Sequence, residues 1–180
     1  ENYILDFAKI AESNNVDIYC IGVEFRSIAI EKDKYFTELI KKVRTFYSGK
    51  VTYASNWDSF DRITFWDKLD YIGVDAYFPL IKTPTPTVAQ LDSAWNPISS
   101  QIEVLSAKHK KQILFTEFGY RSIDFCAWNQ WELADNWNYK GKLNFDAQNI
   151  AFQSLFKQFW KEEWFAGGFI WKWFSDTTPY

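Results

Sequence analysis

The sequence predicts an α/β fold, a parallel sheet covered by helices and laid out as part of a (β/α)8 TIM barrel. Three observations carry this expectation. Short apolar runs rich in β-branched and aromatic residues alternate with helix-period segments, the pattern of parallel strands joined by crossover helices. The runs are near-continuously apolar, as strands buried on both faces are. A polar or aromatic residue suited to a site stands at the C-terminal end of each run: Glu24, Asn56 with Trp57, Asp75 with Tyr77, Glu117, and Trp171 with Trp173. A barrel collects its site from several strand ends in this way, whereas a doubly wound sheet gathers its ligand groups at one switch point behind a glycine loop that is absent here.

Each element has a local reason. Ile4, Phe7, Ala8 and Ala11 line one face of a first helix, and the run Ile18 to Val23 follows as the first strand. Tyr35, Phe36, Leu39, Ile40, Val43, Phe46 and Tyr47 repeat at helical spacing before Gly49 closes the segment. Val51 to Ala54 is the second strand, followed by a short helix and a third strand from Tyr71 to Val74. Thr83 to Thr87, with Pro84 and Pro86, reads as a loop lip. Asn96 and Pro97 read as N-cap and first residue of a helix carrying Ile98, Ile102 and Leu105. Ile113 to Phe115 is the fourth strand. Asp146 is the expected cap of a helix bearing Ile150, Ala151, Leu155, Phe156, Phe159 and Trp160, and Gly168 to Trp171 is the fifth strand.

Five strands are three short of eight. The 180 residues also fall below the roughly 250 of a typical barrel, so residues 1–180 are read as the C-terminal portion of one catalytic domain, strands four to eight with strands one to three upstream. The chain contains no methionine, which fits a fragment. In isolation it is expected to be inactive and to expose edges prone to aggregation.

Composition narrows the chemistry. Hydrophobic residues make 47% and charged residues 24%, globular proportions. Trp, Tyr and Phe together make 21%, a load that serves packing in most positions and a platform for ring-shaped ligands in a few. A net charge of −3 without a concentrated basic face argues against nucleic acid, and no apolar stretch reaches the length of a membrane span. Cys20, within an apolar run, reads as a small buried hydrophobe; it and Cys126 form no spacing motif. The single histidine, His109, reads as a solvated helix end. A serine triad and a zinc site therefore lack their ligands, and no phosphate-cradling glycine motif occurs. No cofactor or metal is expected, and the chemistry must run on carboxylates, phenols and indoles.

A carboxylate at the end of a buried strand is costly to desolvate, so it is paired or functional. Glu24 and Glu117 both occupy such positions. Either each pairs with an arginine, Arg26 or Arg121, or the two face one mouth and hydrolyse a glycoside. In the second case one protonates the leaving oxygen while the other attacks the anomeric carbon, roughly 5 to 5.5 Å away in retaining enzymes.

The segments Gly22-Val23-Glu24, Tyr53-Ala54-Ser55-Asn56-Trp57-Asp58, Leu69 to Leu80, Phe115 to Ser122 and Gly168 to Trp173 together resemble glycoside hydrolase family 113, in order and across essentially the whole chain. Val23 stands where many relatives in the wider clan place Asn. The resemblance implies a retaining (β/α)8 enzyme, chiefly a β-1,4-mannanase, with Glu24 as acid/base, Glu117 as nucleophile and Tyr77 as the phenol that orients or stabilises Glu117. It further implies a Trp171 platform beneath the sugar, and Asn56, Trp57 and Asp75 as substrate-binding groups. Trp173 faces either the sugar or the layer between barrel and helices, and the Trp-rich stretch Ile123 to Trp137 has no alignment with the family: it either walls the cleft or packs. Glu24 is expected to hold its proton near neutral pH while Glu117 stays ionised. The implied partner is an oligo- or polysaccharide, with the full-length protein a monomer. The location is unknown, with a secreted or cell-envelope setting favoured over the cytoplasm. Two alternatives stay open: the same mechanism on another β-linked glycan, and a catalytically silent barrel that binds a glycan or protein partner.

Overall fold

All five apolar runs form strands, and the five pair in chain order into one all-parallel sheet. A computed structural model describes residues 1–132 and 142–172. Its strands are β1 (Ile18–Val23), β2 (Lys50–Asn56), β3 (Tyr71–Asp75), β4 (Gln112–Phe118) and β5 (Phe165–Ile170). Helices α1 (Asn2–Ser13), α2 (Arg26–Glu31), α3 (Asp33–Arg44), α4 (Val88–His109) and α5 (Phe145–Phe159) flank them, with two 3-10 turns, Phe60–Arg62 and Trp66–Lys68, between β2 and β3. Sequential order with helical crossovers is the local topology of a TIM-like barrel.

The helices form where the apolar spacing puts them, but two starts differ from expectation. Helix α4 begins nine residues before Pro97, at a capping box in which Thr87 Oγ1 accepts from the Gln90 amide while the Gln90 side chain accepts from the Thr87 N–H. Pro97 lies inside the helix. The reciprocal cap satisfies two end groups, an advantage that Asn96 and Pro97 do not match. Likewise Asn144, not Asp146, caps α5: its side chain accepts from the Ala147 N–H at 2.9 Å, and Asp146 occupies the first turn, where its charge suits the helix dipole. Helix α2, directly after Glu24, has no clear periodic signal in its six residues.

Aromatic rings build the core between sheet and helices. Phe36 of α3 stacks on Phe65 with centroids 4.9 Å apart, and Tyr53 of β2 meets Phe36, Phe65 and Trp66. At the other side, Phe159 of α5 touches Trp95 and Phe115 at 5.0 Å each, together with Phe165 and Trp164. Strands β2 and β3 are buried almost throughout, whereas the outer strands are not: Val23, Phe169 and Ile170 are all exposed. Burial on both faces thus holds only for strands with a neighbour on each side.

Two further expectations are corrected. His109 is not solvated: its side chain is largely covered and Nδ1 lies 2.5 Å from Asp67 Oδ1. Cys20 is only half-buried, with Sγ donating to the Gly22 carbonyl at 3.2 Å. No helix among the described residues is long and apolar enough to cross a membrane.

Candidate active site

Parallel register brings the strand ends to one edge of the sheet. Asn56 pairs with Asp75 across β2 and β3, and Asp75 with Glu117 across β3 and β4. The amide following β3, that of Ala76, donates to the Glu117 carbonyl at 2.7 Å. Glu24 follows β1, and its N–H donates to Ala54 of β2 at 2.9 Å. Four residues far apart in sequence therefore share one rim.

Glu24 adopts a left-handed backbone, φ 54°, a conformation that costs a non-glycine residue about 1–3 kcal/mol and persists only when its surroundings impose it. Here they do. The next amide, Phe25 N–H, donates to the Tyr53 hydroxyl at 2.8 Å, so a buried phenol on β2 holds the turn that presents Glu24. Glu24 lies on the exposed rim, but partial burial of its carboxyl lifts it above its ordinary range, and the charge of Glu117 adds to the rise. Arg26 instead forms its ion pair with Asp58, at 3.3 Å.

Glu117 is half-buried and accepts a hydrogen bond from Tyr77 Oη at 2.8 Å. Burial first, and this bond second, push the Tyr77 phenol far above its usual range, so it stays a donor. Asp75 is fully buried, and its Oδ1 accepts from Thr116 Oγ1 at 2.7 Å. Burial pushes its carboxyl up to about 7 against that hydrogen bond, and the Glu117 and Glu24 charges push the same way. Asn56 is also buried, with its Oδ1 unpartnered in the protein.

Two tryptophans flank this group. Trp57 is half-buried and stacks on Trp131 with centroids 5.1 Å apart, while Phe78 meets its edge. Trp57, Asp58, Asp61, Phe78 and Gln101 line a cleft of about 400 Å³. Trp171 is 57% exposed at the end of β5; its N–H donates to the Phe118 carbonyl at 2.8 Å, and a cis peptide links it to Lys172. A Cβ on Gly119 would lie 2.1 Å from the Trp171 carbonyl oxygen, so only glycine permits this approach of β4 to β5. Gly119→Ala is expected to lower stability by about 1–3 kcal/mol through overpacking, read as a lower denaturation midpoint.

The sequence-predicted Glu24, Asn56, Asp75, Tyr77 and Glu117 thus meet at one rim, with Trp57 and Trp171 at its flanks. Trp173 and Trp137 lie outside the described residues. Sequence reasoning gave Tyr53 and Thr116 no role, because both look like ordinary strand residues. Trp131 belongs to the Trp-rich stretch expected to wall the cleft or to pack, and it stacks on Trp57.

Solved structures with this fold include the GH113 β-mannanase AaManA from Alicyclobacillus acidocaldarius in complex with ManMIm, at 25% identity and a TM-score of 0.82, matching 99% of this chain and 51% of that one. A GH113 β-1,4-mannanase complex matches at 29% identity and a TM-score of 0.78, over 96% of this chain and 50% of that one. The β-glucuronidase of Ruminococcus gnavus, at 16% identity and a TM-score of 0.66 over 93% of this chain and 28% of that one, shares the fold alone. The chain spans about half the length of the mannanases it matches. No curated protein matches it significantly. The family model of glycoside hydrolase family 113 aligns with residues 1–179, a span that includes every residue of the rim, and the chain belongs to that family.

Proposed function

We propose that this chain is the C-terminal portion of a retaining glycoside hydrolase that cleaves β-1,4-mannosidic bonds in mannan or manno-oligosaccharides. Residues 1–180 form strands four to eight of a closed (β/α)8 domain, and the remaining strands cover the exposed faces of β1 and β5. The observation that carries the reading is the pair of strand-end glutamates in unlike settings: Glu24 with a raised carboxyl pKa caused first by burial, and Glu117 held by the Tyr77 hydroxyl. Two carboxyl groups whose environments differ are the working parts of double displacement.

In the first step Glu117 attacks the anomeric carbon while Glu24 gives its proton to the glycosidic oxygen, so the leaving sugar departs neutral and a glycosyl ester remains on Glu117. Tyr77 holds the attacking carboxylate in line. In the second step Glu24, now ionised, takes a proton from water, the resulting hydroxide attacks the same carbon, and Glu117 is released. Trp171 supplies the apolar face beneath the sugar, and Trp57 a second stacking surface. Asn56, with a buried unpartnered oxygen, supplies the polar side of the binding set, and Asp75 lies fully buried beneath it.

The complete enzyme is expected to release reducing sugar from β-mannan at least tenfold faster than from a β-glucan, with the product anomer first formed retaining the β configuration by proton NMR. Faster release from the glucan would move the substrate assignment, and an inverted first product would sink the mechanism. A domain that binds manno-oligosaccharide without turnover would be the silent alternative.

A further inference from the structure

The Asp75 carboxyl is fully buried, and among the described residues no Lys, Arg or His forms an ion pair with it. Oδ1 is satisfied by Thr116, but Oδ2, also buried, meets no N–H or hydroxyl donor. Glu24 follows β1 on the same rim, its N–H bonded to Ala54 of β2 two residues before Asn56, the register partner of Asp75, and among the described residues its carboxyl is a further polar group that interacts with Asp75. Two ionised carboxylates cannot hydrogen-bond, because each is an acceptor only. A buried carboxylate without a donor on one oxygen is also costly. A proton in the contact removes both problems at once.

The groups facing this contact make the same demand. Glu117 and Thr116 approach from β4, Cys20 from β1 and Tyr53 from β2, with Tyr77 just beyond β3. Arg26 and Asp58 lie near Glu24 and are paired with each other. Among the described residues, no ion pair balances an ionised Asp75 beside Glu24 and Glu117.

We propose that Asp75 is a positioning residue that keeps its proton and donates it in a hydrogen bond to Glu24, orienting the acid/base carboxyl and stabilising the carboxylate that Glu24 becomes. This rests on Glu24 being the acid/base. The bond strengthens as charge develops on Glu24, since a charged acceptor makes the stronger hydrogen bond, so its effect falls on the barrier and not on sugar affinity alone. The proton count is unchanged: Glu24 loses its proton to the glycosidic oxygen and regains one from water, while Asp75 keeps its own throughout. Asp75 then contributes to the site through Glu24, from beneath the rim.

Two measurements on the complete enzyme test this. In carboxyl carbon-13 NMR with labelled Asp, the resonance absent from Asp75→Asn should report a protonated acid at pH 5.5 and titrate near 7; an ionised Asp75 at pH 5.5 would overturn the proposal. This titration needs no turnover, so it judges the Asp75 to Glu24 contact even if the enzyme proves not to cleave mannan.

The second measurement is the pH profile of kcat/KM. Asn at position 75 still donates to Glu24 and accepts from Thr116, so Asp75→Asn should leave the alkaline limb in place and kcat within about tenfold of the parent. Asp75→Leu removes the donor that favours ionised Glu24, so Glu24 holds its proton more tightly: the alkaline limb should move to higher pH, with kcat lower by roughly 10- to 100-fold. If Asp75 were ionised, both substitutions would delete a negative charge beside Glu24 and move the limb to lower pH, which would refute the assignment.

Discussion

Glu117→Ala in the complete enzyme is expected to abolish turnover of manno-oligosaccharide while leaving binding measurable by calorimetry. The proposed mechanism makes Glu117 the nucleophile: it is the penultimate residue of β4, it is half-buried, and the Tyr77 hydroxyl donates to one of its oxygens at 2.8 Å. Without that carboxylate no covalent glycosyl intermediate forms, and kcat should fall on the order of 10⁴-fold or more, as when other covalent catalysts lose their nucleophile. Sugar affinity should persist because the stacking surfaces, Trp57 and Trp171, are untouched. Turnover within tenfold of the parent would remove Glu117 from the mechanism. Equal loss of binding and turnover would indicate collapse of the rim, which far-UV circular dichroism would detect.

The second large effect concerns the aromatic core. Phe159 is fully buried, and its ring touches Trp95 of α4, Phe115 of β4, Phe165 of β5 and Trp164. It joins two helices to two strands at one point. Phe159→Ala deletes the area buried at that junction and leaves a void that rigid ring neighbours cannot close, so a loss of about 3–5 kcal/mol is expected. Urea denaturation of the complete enzyme measures it, with Val104→Ala as the control. Val104 is 68% exposed on α4, where surface substitutions stay within about 0.5 kcal/mol. A Phe159→Ala loss under 1 kcal/mol would mean that the cage of rings relaxes, contrary to the close packing of protein interiors.

Much of the site's composition was legible before any coordinates. Glu24 and Glu117 stand out because a charge ending an apolar run is unusual, and that anomaly is local. Helix starts were less legible: Asn96 and Pro97 resemble a start, yet the Thr87 to Gln90 box outcompetes them, because a reciprocal cap satisfies two backbone groups. His109 looked solvated, since its neighbours are lysines, but Asp67, distant in sequence, reaches it.

By itself the sequence determined the five strands in order and the helices between them apart from α2, the carboxylates at the strand ends and the family to which the chain is similar. Periodicity, breakers and buried charge act over a few residues and so can be read in a line. Only the tertiary structure decided which groups meet: Tyr77 with Glu117, Thr116 with Asp75, Tyr53 with the turn after Glu24, and Trp57 with Trp131. Those contacts depend on strand register and on crossovers between strands. A one-residue slip of register would send the same side chains to the opposite face of the sheet, so their partners are a property of the packed sheet as a whole.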